Sequence, residues 1–193
     1  HWRVTPDFPE MELRFMKEAS TRLASLLAGE VQLADLPQDL KAEALQRGPY
    51  KVVEARAPSA RVWVQLYGVY YNDINDPSKG YLYPETPMTD LRVRKALSRA
   101  VNRDELNKAF FGGRARPMYL NNFSPNWPGW NPDWEKRFAS EYGHDVSAAK
   151  ALLAEAGFGP AKPYTVTFLI LPVAGLSAGG DISEAIAGYW RAA

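Results

Sequence analysis

The segment "TDLRVRKALSRAVNRDELNKAFFGG", residues 89–113, predicts two helices in direct succession, and the rest of the fold can be worked out from it. Its first half places apolar residues at i, i+3, i+4, i+7 and i+8, which is the spacing of one helical face. These residues are Val93, Ala96, Leu97, Ala100 and Val101. An apolar stripe of this kind is stable only when it is buried, so we expect this face of the first helix to pack inward.

The junction between the two helices lies at Asn102. Its side-chain oxygen is suited to cap a helix, and Glu105 follows at the spacing of a capping box. Gly112 and Gly113 end the second helix, because glycine tolerates the left-handed turn of a helix exit. The pattern therefore predicts a second helix that begins immediately after the first.

The basic residues of this helix pair allow a second interpretation, a DNA-binding helix-turn-helix. However, Arg92, Arg94, Lys95 and Arg99 are distributed around the helix instead of forming one basic face. The direct junction also differs from the turn of about three or four residues that such motifs use. Since the formal net charge is +1, we favour a solvated helix surface and expect no nucleic-acid partner.

Composition excludes several kinds of chemistry. The 193 residues contain no cysteine, which rules out disulfides, thiolate nucleophiles and zinc–thiolate sites. The histidines are His1 and His144, and the glycine pairs lack the spacing and the lysine of a phosphate-binding loop. We therefore expect no catalytic residues, no metal site, no cofactor and no enzymatic activity.

Strand and helix patterns alternate along the remaining chain. Alternating or β-branched runs predict strands, and amphipathic runs with glycine exits predict helices. The predicted strands are 10–15, 31–37, 50–56, 61–71 and 164–171, and the further helices are 16–30, 37–48, 145–157 and 181–193. This order predicts an α/β fold with a mixed sheet flanked by helices.

Two long segments stand outside this pattern. Residues 67–90 contain five tyrosines among turn-forming residues, and residues 114–137 contain three tryptophans between prolines. Aromatic side chains on such segments suit a peptide or sugar groove. The alternative is that they form satellite clusters that pack each loop onto its own domain. The sequence leaves both interpretations open.

Three segments resemble the family 5 bacterial extracellular solute-binding proteins, the peptide, nickel and oligosaccharide receptors of ABC importers. The quoted helix pair carries most of the likeness, and "HDVSAAKALLAEAGFG" and "TRLASLLAGEVQLADLP" add to it. In residues 86–113, which contain the helix pair, the positions that match the family pattern are Pro87, Asp90, Arg92, Val93, Arg94, Ala96, Leu97, Arg103, Asp104 and Gly113. In the second segment Asp145, Ala149, Lys150, Leu152, Leu153, Glu155, Ala156 and Gly157 match. Asn102, His144, Val146 and Gln32 depart from the pattern.

The resemblance implies a periplasmic-binding-protein-like lobe of type II. Residues 1–193 are then expected to be a single, truncated fragment of the C-terminal lobe of a two-lobed receptor, without its N-terminal lobe. The helix pair would be scaffold for this lobe. The receptor would act outside the cytoplasm, in the periplasm or as a lipoprotein at the cell surface, with its signal sequence outside this fragment. Its partner would be the membrane permease of an ABC transporter.

For the ligand, the resemblance favours a dipeptide or oligopeptide. An oligosaccharide is the first alternative because of the aromatic content, and a hydrolase lobe is a more distant one. Strand residues just before the helix pair face the cleft in such receptors, which by position points to Trp63, Gln65 and Tyr67. Tyr70 and Asn72 of the adjoining tyrosine-rich segment complete the predicted ligand-binding set.

Overall fold

The computed structural model describes residues 7–53, 62–120, 123, 125, 127–171, 176 and 178–193. The chain divides into two compact units, His1–Glu54 and Ala55–Ala193. Regular secondary structure in the described residues is helical, with three isolated β-bridges and no strand ladder. Each unit is built around helices that bury the apolar faces seen in the sequence.

The first unit contains two helices, α1 (Ala19–Leu27) and α2 (Gln38–Arg47). Its buried residues are Leu23, Leu26, Leu36 and Ala44, with Tyr50 packed against them. Tyr50 Oη donates a hydrogen bond of 2.9 Å to the carbonyl oxygen of Leu26. The chain after α2 is thereby held against the last turn of α1.

The second unit contains five helices in its described residues. They are α3 (Leu91–Ala100), α4 (Arg103–Phe111), α5 (Asp133–Tyr142), α6 (Val146–Glu155) and α7 (Gly179–Ala192). Short 3-10 turns at Pro77–Lys79 and Pro87–Thr89 precede α3. The predicted helices all occur, whereas α5 was not predicted and begins inside the tryptophan-rich segment 114–137.

The direct junction between α3 and α4 is confirmed. Asn102 caps α4, because its side-chain oxygen accepts from the backbone N–H of Glu105 at 3.2 Å. Gly112 follows α4 in the left-handed conformation, with φ 60°. The carboxylate of Glu105 accepts from Tyr189 Oη at 2.5 Å, so this side chain ties α4 to α7. Burial and this hydrogen bond raise the pKa of Tyr189 to about 12.

Helix α3 buries the apolar face that the sequence predicts. Val93, Ala96, Leu97 and Ala100 are all buried. Ala96 and Ala100 meet Ala149 of α6, and all three belong to one buried cluster. Small side chains at this contact let the two helix backbones approach closely.

The start of α3 is fixed by a charged contact. Asp90 caps the helix by accepting from the N–H of Arg92 at 2.8 Å. The Arg92 guanidinium holds the pKa of the Asp90 carboxyl below its usual range, chiefly through their side-chain hydrogen bond. Arg92 also donates to the carbonyl oxygen of Glu155 at 2.7 Å. The family-like residues Asp90 and Arg92 therefore anchor α3 to the end of α6.

The predicted α/β architecture with a mixed sheet is wrong for the described residues. The predicted strands 10–15, 31–37 and 164–171 form no strand ladder, and neither do the described parts of 50–56 and 61–71. Residues 54–56 and 61 of those predictions lie outside the described ranges. A strand needs a neighbour that pairs with its backbone N–H and C=O groups, and among the described residues such pairing is limited to isolated bridges.

Candidate functional site

Within segment 62–70, residues 63–67 alternate between exposed and partly buried side chains. Val64 and Leu66 pack inward onto two different cores of the second unit. Between and beside them, Trp63 is 48% exposed, Tyr67 is 57% exposed, and Gln65 is exposed as well. The three residues predicted by position as ligand contacts therefore share the outward side of one segment.

The segment 164–171 shows the same alternation over the same helices. Val64 and Phe168 pack on the core of Ile182 and Ile186, whereas Leu66 and Val166 pack on the core of α3. The side chains of Thr165, Thr167 and Leu169 are exposed. Neither segment contains a charged residue. The exposed surface of these two segments thus consists of apolar side chains together with amide and hydroxyl groups. It carries no charge.

The chain after Tyr70 folds back on itself as a short hairpin. The N–H of Leu82 donates to the carbonyl oxygen of Tyr70 at 2.7 Å, and the N–H of Asn72 donates to that of Gly80 at 3.0 Å. Tyr71 and Tyr81 form an isolated antiparallel bridge between these two contacts. We call residues 70–82 the tyrosine hairpin.

Asn72, one of the predicted ligand contacts, braces this hairpin. Its Nδ2 donates to the carbonyl oxygens of Lys79 and Tyr81, each at 3.1 Å. Lys79 Nζ lies 2.7 Å from the Asp73 carboxylate and holds the pKa of that carboxyl below its usual value. The amide donors of Asn72 are therefore used inside the hairpin, which gives this residue a positioning role.

The tyrosine rings of the hairpin are arranged in two pairs. Tyr71 and Tyr81 stack with centroids 5.2 Å apart and an interplanar angle of 22°. Tyr70 meets the edge of Tyr83 at 6.5 Å. Position in the sequence predicted Tyr70 as a ligand contact but did not single out Tyr71 or Tyr81. The available signal was the symmetric placement of these two tyrosines around the turn formers of residues 72–80.

Gly68 lies in segment 62–70, two residues before the hairpin begins at Tyr70. Gly68 has φ 102°, in the region that favours glycine. A Cβ atom at this position would lie 2.8 Å from Cγ2 of Thr86. Both the backbone conformation and the close approach require glycine here, and together they set the direction in which the tyrosine hairpin leaves the scaffold.

The tryptophan-rich segment packs largely on itself. Phe123 stacks on Trp130 with centroids 6.0 Å apart, and Trp134 meets both rings edge-on. Tyr119 and Phe138 extend the cluster at 5.4 Å. For the described residues of this segment, the structure supports a satellite cluster that docks α5. Aromatic residues at 134, 138 and 142 have helical spacing, which is the signal that predicts α5.

Neither a metal centre nor a membrane-spanning helix emerges from the described ranges. They contain no group of three or more His, Cys, Asp or Glu side chains placed to hold a metal ion. His144 lies in a ring contact with Tyr189, at a centroid distance of 6.5 Å. Of the helices in the part of the chain that the structure describes, none is long and apolar enough to cross a membrane.

Comparison with known proteins points to one family. The family described as "Bacterial extracellular solute-binding proteins, family 5 Middle" matches residues 1–193. A dipeptide-binding protein of Escherichia coli (strain K12) is 27% identical over 173 residues, which cover 90% of this chain and 28% of that protein. Di/tripeptide-binding protein 2 of Pseudomonas aeruginosa (strain UCBPP-PA14) is 26% identical over 166 residues, 84% of this chain and 27% of that relative. The chain thus spans little more than a quarter of the length of these relatives, and no solved structure matches it significantly.

Proposed function

The chain belongs to the bacterial extracellular solute-binding proteins of family 5, and on that premise we propose that it is part of the substrate-binding component of an ABC importer for short peptides. The observation that carries the proposal is the match, over most of this chain, to two relatives named for binding dipeptides or tripeptides. Capture of a ligand needs a complementary surface and no nucleophile, so the proposal includes no catalytic step.

The outward side of segment 62–70 is suited to this role. Trp63 and Tyr67 offer large, rigid apolar surfaces, which contribute strongly to binding when a ligand covers them. Gln65 lies between them, and its amide both donates and accepts hydrogen bonds, as a peptide main chain requires. A surface without charges fits the middle of a peptide, so the charged termini are expected to be bound elsewhere in the receptor.

The proposal extends to the organisation of the receptor. The chain contributes to the C-terminal lobe of a two-lobed protein, in which the N-terminal lobe completes the peptide site. The receptor acts outside the cytoplasm and delivers its peptide to the membrane permease of the importer. The family description as extracellular supports this location.

The function is tested on the full-length receptor. Native mass spectrometry of the purified protein is expected to detect bound peptides, and after their removal calorimetry should show binding of dipeptides or tripeptides. Release of oligosaccharide without peptide would instead establish the sugar receptor, for which the exposed tyrosines are the specific observation. Hydrolysis of the added peptides would contradict a purely binding role.

The site is tested by replacing Trp63 with alanine in the full-length receptor. We expect the dissociation constant for a bound peptide to rise about tenfold, because truncation of a covered tryptophan removes a large apolar contact. Trp127→Ala is the matched control, since Trp127 is 49% exposed and belongs to the tryptophan-rich cluster. Equal dissociation constants for the two variants, measured by calorimetry, would exclude Trp63 from the site.

A further inference from the structure

We propose that the stacked rings of Tyr71 and Tyr81 form a specificity subsite for an aromatic side chain of the bound peptide. This inference rests on the proposed function and adds the kind of side chain that the receptor prefers. Three features of the tyrosine hairpin support it: its bracing, its exposed apolar surface, and the internal pairing of its polar groups.

The hairpin holds the two rings in place before any ligand arrives. Two backbone hydrogen bonds and the bridge between Tyr71 and Tyr81 close it, and Asn72 bonds the carbonyl oxygens on both sides of Gly80. The ion pair between Lys79 and Asp73 fixes the turn at its tip. A surface that is already ordered loses little conformational entropy on binding, which favours selective contact.

The hairpin also exposes several apolar side chains. Tyr71 is 45% exposed, Ile74 is 84% exposed, and Leu82 is half exposed. They follow the exposed Tyr67 and Tyr70 of segment 62–70 along the chain. Exposed apolar side chains that lie close together commonly mark an interaction site, and here they come directly after the proposed peptide contacts in the sequence.

The polar groups of the hairpin favour an apolar side chain over a sugar. Lys79 lies 2.7 Å from the Asp73 carboxylate and 3.8 Å from that of Asp76, so the three charges face one another. Asp76 also accepts from the hydroxyl of Ser78 at 2.5 Å, and the amide donors of Asn72 are bonded to backbone carbonyls. A sugar ring needs directed hydrogen bonds beside its stacking partner, whereas the ring of a phenylalanine needs only the stacking surface.

The experiment uses the ligand-free full-length receptor and the peptides Ala-Ala, Ala-Phe and Phe-Ala. In the unmodified receptor, calorimetry should show a preference of about fivefold for phenylalanine over alanine at one of the two positions, the size of a favourable ring pair. Tyr81→Ala should abolish this preference and leave the constant for Ala-Ala unchanged within a factor of about two. Tyr81→Phe, which keeps the ring, should retain the preference.

Tyr83→Ala is the control, because Tyr83 is an exposed tyrosine close in the sequence to Tyr81 but outside the stacked pair. It should keep the preference for phenylalanine. If all receptors bind peptides and Tyr81→Ala keeps the same preference, the subsite is excluded while the proposed function stands. If the receptor binds oligosaccharide and none of the peptides, both the function and the subsite are overturned.

Discussion

Trp190→Ala is expected to lower the free energy of unfolding of this chain by about 3–5 kcal/mol, the range for removing a large aromatic side chain from a core. Trp190, on α7, packs against three separate buried clusters, those of Val93, Ala96 and Ile182. Its Nε1 donates to the carbonyl oxygen of Leu97 at 2.9 Å. Alanine would leave a cavity at the point where α3, α6 and α7 meet and would remove this hydrogen bond.

Urea denaturation followed by circular dichroism measures this effect, and Trp127→Ala provides the comparison. Trp127 is half exposed and contacts Phe123 at a centroid distance of 5.7 Å, so its loss should cost about 1 kcal/mol or less. Trp190→Phe separates the two contributions, since it keeps most of the ring and loses the N–H donor. Equal destabilisation by Trp190→Ala and Trp127→Ala would contradict the central position of Trp190.

The helices were predictable because their signals are local. The apolar stripe of α3, the cap at Asn102 and the glycine exit of α4 all lie within a few turns of the residues they organise. Helix hydrogen bonds close inside one segment, so no distant partner is needed to satisfy the backbone. The tertiary contacts of a side chain were harder to predict. Glu105 has capping-box spacing, but its carboxylate accepts a hydrogen bond from Tyr189, which lies far away in the sequence.

The prediction of a sheet was wrong because strand pairing is not a local property. Alternation in segments 62–70 and 164–171 correctly marks which side chains face a core, as Val64, Leu66 and Phe168 show. It carries no information about whether another strand lies alongside, because pairing depends on residues far away in the chain. Here the alternate residues pack directly on helices, so a period of two arises from burial without a ladder.

The candidate site likewise contains some features that the sequence predicts and others that it does not. Position and alternation placed Trp63, Gln65 and Tyr67 on one exposed side, although their role as ligand contacts is still a prediction. The bracing by Asn72 and the pairing of Tyr71 with Tyr81 follow from closure of the hairpin, which brings residues on both sides of the turn together. Such contacts can be recognised only once the turn geometry is known.

Ala149→Leu is expected to destabilise the chain by about 1–3 kcal/mol through overpacking. Ala149 is 0% exposed and lies against Ala96 and Ala100, which are also buried. The buried centre of the contact between α3 and α6 is thus made of methyl groups, and a leucine there would push the two backbones apart or force its own side chain out of a favourable rotamer. Thermal and urea unfolding measure the loss.

Ala151→Leu, two residues along the same helix and exposed, is the matched control. Alanine and leucine have similar helix propensities, so this change should alter stability by less than about 0.5 kcal/mol. If both variants are equally stable, the alanine contact can accommodate a larger side chain and does not set the spacing of α3 and α6. If only Ala149→Leu is destabilised, that spacing is fixed by the small residues, and α3 is held where Val93 and Leu97 support Leu66 and Val166. The helix pair then acts on the ligand only indirectly, by fixing the two segments whose outward side chains form the proposed peptide surface.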